Sequence, residues 1–126
     1  MRAYERFLDY VKIHTTSDEN CDAHPSSQCQ FDLARLLEKQ MKELGLQNVR
    51  LDEFCYVYGT LPATPGYEAK PAIGLIAHMD TAPDASGENV KPQVIENYDG
   101  GDVLLAGTGE YMRVATFPEL ANWKGQ

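Results

Sequence analysis

The sequence predicts a mixed α/β fold, a central mixed sheet with flanking helices, and three observations carry that prediction. Two early segments repeat apolar residues at helical spacing. The apolar period then changes to two after Gly45. Finally, Ala72-Ile73-Gly74-Leu75-Ile76-Ala77-His78 is short, continuously apolar and bounded by Pro71 and Asp80-Thr81, the pattern of a strand buried on both faces.

The first helix is expected from Ala3 to about His14, with Tyr4, Phe7, Leu8 and Val11 on one face and His14 as a cationic C-terminal cap. Residues 15–28 are polar, contain Pro25 and read as a loop. A second helix starts near Ser26 or Ser27, where Ser27 and Gln30 have capping-box spacing. Its buried face uses Phe31, Ala34, Leu37, Met41 and Leu44, widened by Leu33 and Leu36, and Gly45 supplies a left-handed stop. Val49 and Leu51 then mark a short strand, and the stretch from Cys55 to Leu61 is rich in aromatic and β-branched residues. The two either pair or form one bent strand. Pro62, Pro65, Gly66 and Pro71 make a surface connection into the apolar run. Beyond it come an extended stretch around Val90 to Ile95, a Gly100-Gly101 turn, a strand at Asp102 to Ala106 and a poorly periodic tail. Residues 1–126 read as a single unit without an internal repeat or a linker.

Composition excludes several function classes. With 11 Lys plus Arg against 19 Asp plus Glu the formal charge is −8, and no basic stripe exists to neutralise phosphates, which argues against nucleic acid. No run of roughly 18 apolar residues is present to span a bilayer. The N-terminus lacks the apolar core of a secretory signal, and three cysteines are an odd number, so a cytoplasmic protein with reduced thiols is expected. An acidic surface suits cationic partners, namely metal ions or protonated amines.

The sharpest chemical feature is His78-Met79-Asp80 at the end of the apolar run. In extended backbone, residues i and i+2 point to the same side, so both side chains can face one pocket. His78 can offer one ring nitrogen to a metal while Asp80 accepts a hydrogen bond from the other and fixes the tautomer. Three residues alone make a weak motif, and on them alone a satisfied strand-end histidine beside a turn aspartate is the favoured reading.

The surrounding blocks add specificity. His78-Met79-Asp80-Thr81-Ala82-Pro83-Asp84 resembles the His-Val-Asp-Thr-Ser-Pro-Asp segment of the peptidase T family of tripeptide aminopeptidases. Similar matches run in order through Glu5-Arg6-Phe7-Leu8, Leu61-Pro62-Ala63, Ser86-Gly87, Glu96-Asn97-Tyr98, Gly100-Gly101-Asp102 and Phe117-Pro118-Glu119-Leu120. The resemblance implies the N-terminal part of a co-catalytic zinc exopeptidase domain, with no separate lid domain. In that family two zinc ions share a bridging water and act on an unblocked tripeptide. It implies that His78 is a ligand of one zinc, that Asp80 is the catalytic acidic residue orienting it, and that Asn97 touches substrate. Met79 and Ala82 replace the common Val and Ser without altering a coordinating atom. The family's bridging aspartate, Glu-Glu pair and distal histidine find no match here, so the 126 residues read as an N-terminal piece without peptidase activity of its own.

Three rival readings remain in view. Cys21-Asp22-Ala23-His24 followed by Cys29 has three ligand types at short spacing, with Cys55 needed from elsewhere to complete a tetrahedral zinc site. A cysteine hydrolase pairing Cys55 with His78 lacks a turn signal at Cys55, which reads as a strand residue. The third is a non-catalytic acidic α/β binding or assembly module, and self-association into a homo-oligomer is compatible with either this or the peptidase reading.

Overall fold

The computed structural model describes residues 2–126 and confirms the mixed α/β class. The chain divides into two compact units, one up to Val90 and the other Lys91–Gln126.

In the first unit, α1 (Ala3–Tyr10) is followed by α2 (Gln30–Glu43) and by an antiparallel pair, β1 (Gln47–Leu51) and β2 (Val57–Thr60). The Glu5 carboxylate reaches back to the Arg2 backbone N–H at 2.6 Å and closes the first turn of α1. This helix stops at Tyr10, a turn earlier than its apolar spacing predicts, and Val11 and Ile13 close it with turn hydrogen bonds to Phe7 and Tyr10. Tyr4 and Phe7 on the predicted packing face are exposed. What ties α1 down is polar: Arg6 and Tyr10 both donate to the Gln40 side chain on α2.

The second helix begins at Gln30 rather than near Ser27. Cys29 sits at its N-cap without a side-chain cap, and Ser27 contributes its backbone carbonyl to the Gln30 N–H instead of its hydroxyl. Its buried face is Gln30, Leu33, Ala34 and Gln40, a stripe rotated from the predicted one, which leaves Leu44 exposed. Gly45 does adopt the left-handed conformation, at φ 82°.

The two strand segments pair, with Leu51 opposite Val57, Arg50 opposite Tyr58 and Gln47 opposite Thr60. A bulge falls between Gln47 and Arg50, where Asn48 has φ 52°. The connecting turn is built on Asp52, whose Oδ1 accepts from the Phe54 and Tyr56 backbone N–H groups. Cys55 lies in this turn at φ 67°, not in a strand, and with Leu33 and Ala34 it makes the buried apolar core among the described residues.

The predicted central strand is the main correction. Residues 72–78 form no strand, and Ile73, Leu75 and Ile76 are 89%, 95% and 100% exposed. A strand apolar on both faces needs hydrogen-bonded neighbours at its edges and cover on each side. Among the described residues the nearest equivalent is a single parallel bridge between Thr16 and Thr81, just beyond the run.

In the second unit, β3 (Val103–Leu105) and β4 (Glu110–Met112) form an antiparallel hairpin, followed by a 3-10 helix at Pro118–Trp123. Gly100 takes the left-handed turn conformation at φ 86°, as the Gly-Gly pair predicts. The second hairpin strand lies in the tail that shows no clear period. The Val90 to Ile95 stretch has no regular structure.

Candidate functional site

The site is assembled where the loop after α1 meets the residues following the apolar run. Thr15, which is buried, accepts the Thr81 backbone N–H at 3.2 Å, and Ser17 returns its own N–H to the Thr81 carbonyl at 3.0 Å. The Thr16 and Thr81 hydroxyls lie 3.2 Å apart between them. Residues 15–17 thereby fix the backbone on which Asp80 stands.

His78 and Asp80 come together as the two-residue spacing predicts: His78 Nδ1 is 3.1 Å from Asp80 Oδ1. The other carboxylate oxygen, Oδ2, accepts the Ser17 hydroxyl. That hydroxyl, helped by His78, holds the Asp80 carboxyl below the usual carboxylate range against a smaller opposing effect of burial. An ionised carboxylate only accepts hydrogen bonds, so Nδ1 carries the hydrogen of this contact, and in the neutral ring Nε2 then keeps its lone pair. The His78 side chain is 84% exposed, and this nitrogen is open to a ligand.

A cleft of about 530 Å³ runs beside the pair, lined by Cys21, His24, Cys55, Tyr56, His78 and Asp80 among others. Cys29, part of the local cysteine–histidine pattern, is not on its wall. Among the described residues no three His, Cys, Asp or Glu side chains are grouped to hold a metal ion. The donors present therefore fit one ligand position, an imidazole with its orienting carboxylate, and not a complete zinc centre. The Cys55 thiol is pushed up, first by burial and further by Asp52, which keeps it a poor nucleophile.

His14 does not cap a helix. It lies past the end of α1, with Nδ1 3.7 Å from Glu88 Oε1. Asn97 belongs to the second unit, where it takes φ 54° just before Tyr98, whose hydroxyl bonds the Gly101 carbonyl. Ser17 joins the site without a sequence motif to mark it. Its only local signal is the run Thr15-Thr16-Ser17, and the partner it serves lies 63 positions away.

No protein-family model matches the chain. Individual curated proteins do resemble it. It is 51% identical over 126 residues to peptidase T of Caldanaerobacter subterraneus subsp. tengcongensis, covering 99% of this chain and 31% of that protein. It is 56% identical over 125 residues to peptidase T of Desulfitobacterium hafniense, covering 97% and 30%, and 51% identical over 121 residues to that of Aliivibrio fischeri, covering 96% and 29%. The chain is a homologue of peptidase T along essentially its whole length, and it spans about three tenths of the length of these relatives.

Proposed function

We propose that the chain contributes the His-x-Asp element of a peptidase T-type metallo-aminopeptidase, which releases the N-terminal residue of tripeptides in the cytoplasm. The observation that carries this reading is the 3.1 Å contact between His78 Nδ1 and Asp80 Oδ1, found within a chain of peptidase T sequence. In the proposed roles His78 Nε2 is one ligand of a two-zinc centre, Asp80 orients the ring, and Asn97 contacts the peptide. When bound, the metal pair supplies Lewis acidity toward the scissile carbonyl and a water acidic enough to attack it. What these residues do themselves is narrower: Asp80 holds the Nδ1 proton, which aims and strengthens Nε2 as a donor. One imidazole cannot hold such a centre, so the 126-residue chain on its own is expected to be inactive.

The test is to express the reading frame extended past Gln126 and assay it on free tripeptides. Chelator-sensitive release of the N-terminal residue, abolished by His78→Ala, is the expected result. An extended protein that binds no zinc and leaves tripeptides intact would overturn the reading. The exposure of Ile73, Leu75 and Ile76 favours one alternative, an acidic binding or assembly module without catalysis. An inactive extended protein that still associates through these residues would select it.

A further inference from the structure

We propose that Ser17 is a positioning residue that fixes the tautomer of His78 through Asp80. Its functional consequence rests on the reading of His78 Nε2 as a ligand nitrogen. An aspartate carboxylate turns readily about its terminal bond, and either oxygen can face a neighbour. Here Ser17 removes that freedom. Its hydroxyl occupies Asp80 Oδ2, while its backbone N–H bonds the Thr81 carbonyl at 3.0 Å. One residue therefore grips both the side chain of Asp80 and the backbone beside it. With one oxygen held by Ser17, the plane of the carboxylate is set and the other oxygen stands 3.1 Å from His78 Nδ1. This matters because the imidazole is 84% exposed and has little packing of its own to hold it. Without a fixed acceptor, a neutral imidazole carries its proton on either nitrogen, and a proton on Nε2 blocks that atom as a donor to metal.

The experiment uses the metal-free 126-residue chain with ¹⁵N-labelled histidine, at a pH well above the usual imidazole range. In the unmodified protein the His78 ring shifts should report Nδ1 protonated and Nε2 bare. Ser17→Ala should move both shifts toward each other, a change in tautomer ratio of about threefold or more. Ser17→Thr should restore the original pattern, and Asp80→Asn should abolish the preference. If Ser17→Ala does not fold, Ser17→Cys, a weaker donor of similar size, is read in its place. Ring shifts unaffected by loss of the Ser17 hydroxyl would overturn the proposal whatever the activity of the extended protein. A Ser17-dependent tautomer in the 126-residue chain, together with an extended protein that binds no zinc and leaves tripeptides intact, would keep this inference and remove the peptidase reading.

Discussion

Tyr10 on α1 donates its hydroxyl to the Oε1 of Gln40, a buried glutamine on α2, and Arg6 donates to the same oxygen at 3.0 Å. Two donors converge on one acceptor because α1 offers little apolar surface to α2; its Tyr4 and Phe7 point to solvent. Gln40→Ala should therefore cost about 1–3 kcal/mol of unfolding free energy, since it strands both donors in a partly buried place. Gln40→Glu keeps the acceptor and adds attraction to Arg6, so it should stay within about 1 kcal/mol of the parent. Denaturant melts of the two variants check this. An equal loss in both would show that amide packing, not the shared acceptor, holds the helices.

The same contrast explains what was legible in the sequence. α2 and the extended segments of β1 and β2 could be read because their causes are local, helical spacing closed by Gly45 and then β-branched and aromatic residues, whereas the sequence alone leaves a pair and one bent strand both open. The His78–Asp80 contact follows from a two-residue spacing. Residues 72–78 misled because a continuously apolar run records a capacity for burial, whereas burial also requires neighbours. Gln40 and Ser17 were invisible for a related reason. Each acts on groups 30 or more positions away, and no local pattern marks a polar residue as the acceptor or donor of a distant contact.

Gly87 sits against the bridge beneath the site. A methyl group there would lie 2.7 Å from Thr16 Oγ1 and 3.1 Å from Thr81 Oγ1. Gly87→Ala should push these hydroxyls apart and loosen the backbone bonds that join residues 15 and 17 to Thr81. Amide exchange at Ser17 and Thr81 should then rise about tenfold, equivalent to about 1.4 kcal/mol. Gly74→Ala is the control, because nothing lies within 4 Å of its added carbon. Equal exchange in the two variants would dismiss the close approach as irrelevant.

Burial of Cys55 separates it from Cys21 and Cys29, which are partly exposed. Two thiols should react quickly with a disulfide reagent in the native protein and the third at least about tenfold more slowly, because the thiolate is the reacting form. A pH dependence follows from the raised thiol. Above the ordinary thiol value, about 8.5, the unfolded chain gives up its Cys55 proton before the folded chain does. The stabilising contribution is thus complete below that value and is lost as pH rises through the folded one. Unfolding free energies from pH 7 to 10 should fall more steeply in the parent than in Cys55→Ala. Parallel curves would mean that the buried thiol titrates normally.

Residues 73–76 carry three large apolar side chains that are almost wholly exposed. Nothing in the formal charge of −8 masks them locally, since the nearest charged side chains by sequence are Lys70 and Asp80. A contiguous apolar segment of this kind draws a partner or a second copy of itself, because burying it removes hydrocarbon from water. The 126-residue chain should therefore bind a hydrophobic dye and sediment faster as its concentration rises. Leu75→Lys and Ile76→Glu together should reduce both effects, with a stability change within about 0.5 kcal/mol for each substitution, as expected where a side chain makes few contacts. A parent chain that stays monomeric and dye-free at high concentration would show that this segment finds cover within its own molecule.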